Sequence, residues 1–511
     1  MVWGAVHAAP VDRRVLAGLA AAALAVHLLA APGYGYFRDE LYYLACARHL
    51  DLGYVDHPPL VAWIAALVRA TLGESLLAIR GVSALAAAAT VWTAGATAAE
   101  LGGRRFAQAL AATATLVAPV YLALASVFSM NPVDLLLWAC AWRLAARALR
   151  PGSTSGWLGF GAVIGLGLLN KLSPLFLAFG VTVGLLAGRR WDVLRDRSWW
   201  AGAAFAIGLA APHLAWQWTH GFPTREFIAN AQSFKNLELA PAAFLGEQAM
   251  QVGPWALPLW LGGLIFFLRS RAAAPWRALG WAYLAVLAVM LLTAAKPYYL
   301  APAYTVLFAG GAVALERRLA GTVARAAILA LMLVAGAATA PLAMPLLPVD
   351  TYVRYAAALG LAPGTDERHA VGRLPQFFAD MHGWPEFAAA FATAYRQLPA
   401  EDQARACVVG NNYGEAGALD LFGPALGLPP AISAHNNYFL WGPRGCSGAV
   451  LLVAAKAEDR ARLAALFAEV TPVGRFDCAD CMPYERDQTI WLARGPRVPL
   501  AELWPTLKHY E

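Results

Sequence analysis

Charge is scarce in this 511-residue chain. Only 14% of its residues are Asp, Glu, Lys or Arg, and 59% are apolar. A soluble domain ordinarily carries about 25% charged residues, so a chain folded entirely in water is excluded. Cysteine is sparse as well, six residues in all, which excludes a small disulfide-dense scaffold. The net charge is +7, yet there is no lysine-rich tail and no interleaving of basic and aromatic residues. No nucleic-acid partner is therefore expected. Beyond alanine-rich stretches no repeat or low-complexity tract stands out.

What the chain does have is a succession of long apolar runs. They fall at about 14–32, 82–100, 106–126, 132–148, 157–170, 172–188, 199–215, 251–268, 276–295, 299–315 and 323–347, about eleven predicted spans. Arg13-Arg14 with the first run resembles a signal peptide, but the many runs behind it favour an uncleaved first transmembrane helix. The two runs flanking Asn170-Lys171 are short and read as a tight hairpin or as one broken element. If the N-terminus is cytoplasmic, every inner loop bears arginine, among them Arg104-Arg105, Arg147 with Arg150, Arg189-Arg190, Arg269 with Arg271, and Arg317-Arg318. That is the positive-inside pattern, and an odd number of crossings then puts the C-terminal region outside. The expected location is the plasma (inner) membrane, with multiple passes.

After about residue 348 the apolar runs shorten and turn residues increase. The expected division is a transmembrane domain over 1–348, with a first outer loop at 33–81, and a soluble extracytoplasmic α/β domain over 349–511. Strands are predicted at Ala406–Gly410, Ala449–Ala455 and Thr489–Ala493, and helices at Trp384–Gln397 and Glu458–Val470. In the first outer loop, 39–50 and 60–72 have the spacing of amphipathic helices, separated by Pro58-Pro59. Cys407, Cys446, Cys478 and Cys481 lie in the outer region, where one or two disulfides are the better reading than a zinc site; the spacing does not say which cysteines pair.

Chemistry points to the first outer loop. Asp39 and Glu40 sit where the chain leaves the membrane, beside Tyr42 and Tyr43. Acids at such a position are expensive unless they face water, a partner or a substrate. A carboxylate there suits a general base acting on a hydroxyl, and the tyrosines suit contact with a sugar or acceptor. The plainer reading is helix capping. Asp134 follows Asn131-Pro132 at the outer end of a span and is a second candidate for a sugar hydroxyl. A divalent metal held by Asp39 and Asp134 is conceivable, but two carboxylates rarely suffice for tight binding, so no obligatory metal is expected.

Lys171, Arg225, Lys235 and Lys296 lie at or near the outer face, where positive charge suits a lipid phosphate; snorkelling to headgroups is the plainer account of each. His57, in Asp56-His-Pro-Pro-Leu60, is a candidate phosphate partner or a simple helix cap. Two later loops, Gly410–Gly417 and His435–Gly442, combine carboxamides, aromatics and glycines. Asn412, Tyr413, Glu415, Asn436 and Asn437 are candidate carbohydrate contacts there, against ordinary turn chemistry.

These motifs carry a resemblance. Phe-Arg-Asp-Glu-Leu-Tyr-Tyr at 37–43 with Asp-His-Pro-Pro-Leu at 56–60 resembles the first outer loop of bacterial family 39 glycosyltransferases. These belong to the protein-mannosyltransferase-like group that includes the aminoarabinose transferase of lipid A. The runs at 412–417 and 435–443 resemble bacterial members too. The resemblance implies a mainly α fold, the GT-C transmembrane helix bundle with amphipathic outer-loop helices, here with a C-terminal soluble α/β domain. It implies a polyprenyl-phosphate-linked sugar donor, a lipid, glycan or protein acceptor on the outer side, and inversion at the anomeric carbon. By position Asp39 is then the catalytic base, and Glu40 orients the acceptor or the loop. Some relatives carry lysine where this chain has His57, which draws attention to Lys171, Arg225 and Lys296 as phosphate partners. The rival readings are a lipid-linked sugar flippase or secondary transporter, and a membrane-tethered envelope-assembly protein.

Overall fold

The computed structural model describes residues 8–150 and 156–511. The chain divides into two compact units. One comprises 8–32, 77–215 without the residues outside the description, and 238–348; the other comprises Gly33–Leu76, Trp216–Leu237 and Val349–Glu511. Residues 33–76 and 216–237, both expected to be loops of the membrane part, thus cluster with the C-terminal residues.

The first unit is helical. Among the described residues, five helices are long and apolar enough to cross a membrane: Arg13–Ala30, Leu76–Glu100, Arg271–Leu292, Pro297–Arg318 and Thr322–Ala343. Two bent pairs raise the number to seven, Arg105–Val117 with Pro119–Ala125 (60°) and Pro241–Val252 with Pro254–Arg269 (94°). Proline causes both breaks. Ala118, before Pro119, is extended (ψ 124°), as residues ahead of proline prefer, and Gly253 turns at φ +91° before Pro254.

About eleven spans were expected, the two beside Asn170-Lys171 being read as short, and four of these runs fall outside the seven. Trp157–Leu168 and Pro174–Ala187 have 12 and 14 residues, roughly 18–21 Å of helix against a core of about 30 Å. Met130–Ala148 carries Asp134, Arg143 and Arg147, and Arg197–Thr219 is rich in tryptophan and polar groups. Exposed apolar side chains such as Leu29, Leu292 and Val323 are what a lipid-facing surface needs. Small residues set the packing. A methyl group added at Gly263 would lie 2.0 Å from the Leu307 carbonyl oxygen, and one at Gly311 2.0 Å from that of Leu259, so these two helices touch backbone to backbone.

The second unit is built on a five-stranded mixed sheet: β1 Ala406–Val409, β2 Ala431–Ile432, β3 Val450–Ala455, β4 Phe467–Phe476 and β5 Gln488–Pro496, in the order β2-β1-β3-β5-β4. β2 and β3 flank β1 in parallel, and β5 runs antiparallel to β3 and β4. Three of these strands were expected. β2 has two residues, too few to register as a pattern. β4 carries Pro472 and Gly474 at a register shift on the sheet edge, where proline is tolerated; the helix expected to reach Val470 accordingly ends at Leu466. The cysteines pair as Cys407–Cys446 and Cys478–Cys481. Helices Arg38–Arg48 and Leu60–Leu72 also belong to this unit.

Candidate functional site

In an open α/β sheet the carboxyl end of the strand where chain direction around the sheet reverses is the usual ligand crevice. Here that strand is β1, with β2 on one side and β3 on the other. The loops leaving these strands supply Asn411–Tyr413, Ser433–Asn437 and Lys456, and the helix Arg38–Arg48 lies among them.

That helix begins at an extended Phe37 (ψ 143°). Glu40 is wholly buried, and its carboxylate accepts the Phe37 N–H at 2.8 Å, half of a capping box. The capping account therefore describes Glu40, and orientation of the loop is the part of its expected role that this position serves. Asp39, half-buried, points elsewhere: its Oδ1 accepts the Tyr413 hydroxyl at 2.8 Å. Its Oδ2 has no hydrogen-bond partner among the described residues. Tyr42 donates to Asp56 Oδ1 at 2.8 Å. Burial raises the Asp56 carboxyl above the usual range; His57 and the Tyr42 hydrogen bond oppose the shift, and the Asp39 charge adds to it. Two carboxyl groups, one half-open and one raised by burial, thus share this corner.

Arg38 is the local cation. Its guanidinium lies 5.1 Å from the Tyr413 ring centroid and donates to the Tyr484 hydroxyl at 2.7 Å, while its backbone N–H donates to the Asp380 carbonyl at 3.0 Å. Burial pushes the Asp380 carboxyl up to about 6, with Arg38 opposing. Behind it Glu415 and Glu485 form a buried carboxyl pair. Burial raises both, Glu415 well above the usual carboxylate range, and the neighbouring Glu485 carboxyl adds to the Glu415 shift. Asn411 donates to Glu415 Oε2 through its backbone (2.8 Å) and side chain (3.0 Å), and Asn412 Nδ2 donates to Glu485 Oε1 at 3.0 Å.

Several expected contacts turn out to be internal struts. His57 is fully buried, stacked 4.7 Å from Tyr54, with Nδ1 donating to the Pro58 carbonyl and Nε2 against the Cys46 sulfur; it offers no atom to a phosphate. Tyr43 is buried with its ring 5.1 Å from that of His57. Asn412 caps the helix Tyr413–Phe422 by accepting the N–H groups of Gly414 and Glu415. Asn436, at φ +45°, is bonded to the backbone of Glu511, and Asn437 accepts the Val55 N–H at 2.6 Å. Asn412, Glu415, Asn436 and Asn437 thus build the corner rather than present free groups to a sugar. Lys235 pairs loosely with Glu367 at 3.9 Å. Arg225 is exposed on the short helix Pro223–Asn230.

The helical unit holds a separate polar cluster. Lys171 Nζ donates to Asn131 Oδ1 at 2.7 Å and sits 4.8 Å and 5.6 Å from the ring centroids of Tyr299 and Tyr298. Asp134, buried, accepts the Ser173 hydroxyl on both oxygens, at 2.6 and 2.7 Å. Asn170 is wholly buried with its amide donating to the Met130 carbonyl. Lys296 directly precedes the helix Pro297–Ala303. Arg38, Asp56, Asp380, Tyr484 and Glu485 were not singled out from sequence. Arg38 and Asp56 stood inside the quoted motifs; the other three had no motif to mark them.

Residues 56–216 match the family described as dolichyl-phosphate-mannose-protein mannosyltransferase; the match starts at Asp56 and leaves Asp39 outside. The lipid A galacturonosyltransferase RgtD of Rhizobium johnstonii is 28% identical over 273 residues, 52% of this chain and 56% of the relative. The chain thus aligns with little more than half the length of that curated relative. In fold it is similar to ArnT from Cupriavidus metallidurans, solved bound to undecaprenyl phosphate (TM-score 0.64, 15% identity, 93% of this chain and 97% of the other) and in the apo state (0.63, 14%, 94% and 97%). The chain is thus similar over part of its length to a mannosyltransferase family and to a lipid A galacturonosyltransferase, and over nearly all of its length it is similar in fold to ArnT.

Proposed function

We propose that the chain is an inverting glycosyltransferase that moves a sugar from a polyprenyl-phosphate donor to a hydroxyl of a lipid acceptor on the extracytoplasmic side of the plasma membrane. The lipid acceptor and lipid-linked donor follow the likeness to the lipid A galacturonosyltransferase and to ArnT. The observation that carries the reading is Asp39, half-open at the start of its helix, with one oxygen anchored and the other free.

In the proposed step the acceptor oxygen attacks the anomeric carbon from the face opposite the lipid phosphate. The new C–O bond forms as the sugar–phosphate bond breaks, and its electron pair leaves with the phosphate. The acceptor proton passes to Asp39 Oδ2. Positioning and fixed charge supply most of the acceleration in such a transfer.

The test is mass spectrometry of envelope lipids and glycans from cells with wild-type protein, with none, and with Asp39→Asn. One glycoform disappears without the protein and stays absent with Asp39→Asn, although the variant is inserted at normal levels. A normal glycoform in the Asp39→Asn cells sinks the proposal. Movement of lipid-linked sugar into sealed vesicles without a new glycosidic product is the outcome a flippase would give.

A further inference from the structure

The run Asn412-Tyr-Gly-Glu-Ala-Gly417 has so far been accounted for only in pieces. Asn412 caps the helix, so Tyr413 becomes its first residue. Gly414 and Gly417 are three apart and share a face. A methyl group on Gly414 would lie 2.3 Å from Arg38 Cγ and 2.9 Å from Cδ; one on Gly417 would lie 2.9 Å from Leu41 Cβ and 3.0 Å from its carbonyl carbon. The helix Tyr413–Phe422 is therefore pressed against Arg38–Arg48 along a seam that admits no side chain.

That closeness brings the Tyr413 hydroxyl to Asp39. The ring has little freedom once there: it is 7% exposed, 4.8 Å from Tyr42, 5.0 Å from His435 and 5.1 Å from the Arg38 guanidinium. Its backbone N–H donates to His435 Nδ1 at 3.2 Å, and His435 Nε2 in turn donates to the Glu511 backbone oxygen at 2.9 Å. Burial keeps His435 neutral, which leaves Nδ1 able to accept. Burial likewise holds the Tyr413 hydroxyl well above its usual range, so it stays a donor. A carboxylate with one oxygen tied to a fixed donor cannot rotate freely, and its other oxygen points in one direction.

We infer that Tyr413 is a positioning residue for Asp39, and that the glycine seam of the Tyr413–Phe422 helix serves to deliver it. The inference rests on the proposed role of Asp39 as base. It also reassigns Tyr413, whose hydroxyl is committed to the base rather than to a sugar.

The experiment uses membrane vesicles from the native host, which hold their own donor and acceptor, and follows the Asp39-dependent glycoform by mass spectrometry from pH 5.5 to 8.5. Tyr413→Phe removes one oxygen and no packing volume. Its initial rate per inserted protein falls roughly 10–100-fold, the scale of a misplaced reacting group. The acid limb of its pH–rate profile also moves upward, which a merely structural role would not cause. Gly417→Ala, which keeps Tyr413 but parts the helices, gives the same direction of change and serves as the readout should Tyr413→Phe lower the amount of folded protein. A wild-type rate and profile in both variants, with Asp39→Asn inactive, overturns the inference and leaves the base standing. Activity in Asp39→Asn overturns both.

Discussion

The two compact units use the same small residue for different ends. In the helical unit, Gly263 and Gly311 bring backbones together so that a fold short of charge can pack, as helices in lipid commonly do. In the other unit, Gly414 and Gly417 bring together helices that carry a reactive constellation. The first unit has a few polar clusters set in apolar packing; the second gathers a chain of neighbouring carboxyls, Asp56, Asp39, Asp380, Glu485 and Glu415, with Arg38 beside Asp380 and Glu485. One region spends its sequence on spanning and packing, the other on holding carboxyls that burial pushes toward their neutral form and Arg38 partly offsets.

The strongest way to break this contrast is a bulky side chain in each seam. Gly263→Val drives carbon into the Leu307 carbonyl and is expected to abolish monodisperse, detergent-extracted protein in size-exclusion chromatography. Gly417→Ala, meeting Leu41 at 2.9 Å, is expected to leave that peak and lower turnover. Equal loss of folded protein in both would erase the distinction.

Next comes Asp39→Asn, with no product and normal insertion, as set out above. A smaller effect separates the disulfides. Cys407–Cys446 spans 39 positions and Cys478–Cys481 only 3. In chain-entropy terms the longer loop is worth about 4 kcal/mol and the shorter about half that. Thermal melts of Cys407→Ala/Cys446→Ala and Cys478→Ala/Cys481→Ala should rank in that order, and the reverse ranking refutes the entropic account.

The smallest effect is on pH dependence. Asp380, Glu415 and Glu485 have carboxyl groups raised by burial. The folded state therefore binds their protons more tightly than the unfolded state. Their contribution to stability is present at low pH and is lost as pH rises, for Asp380 between its ordinary range and about 6. The raised carboxyl pair adds a decline in the same direction. Glu485→Gln keeps a hydrogen-bonding group of the same shape without the second charge, and should flatten the upper part of a melting-temperature profile. An unchanged slope would mean that the Glu485 carboxyl does not raise that of Glu415.

Much of the helical unit was legible because hydropathy over 18 or more residues is a local property. It misled where helices are bent: Pro119 and Pro254 turn continuous apolar composition into angled pieces, whereas the interruption at Leu169–Ser173 falls where the runs had read as short. The Asp39–Glu40 motif was visible as well, but not the division of labour within it. Neighbours on a helix point in different directions, and so Glu40 caps while Asp39 meets Tyr413. The amides at 412, 436 and 437 read equally as ligands and as turn residues, because a sequence does not display which backbone groups need partners.

Composition and local pattern alone determined that this chain enters a membrane, that acids and tyrosines stand at its first exit, and that an α/β region follows. Those features depend on solvent transfer and short-range periodicity. Only the tertiary structure decided that Tyr413, 374 positions from Asp39 along the chain, supplies its hydrogen bond. It likewise decided that Glu415 and Glu485 are buried side by side, 70 positions apart, with both carboxyl groups raised. Both depend on sheet topology and on two glycines admitting one helix to another, and no local stretch of sequence contains that distance.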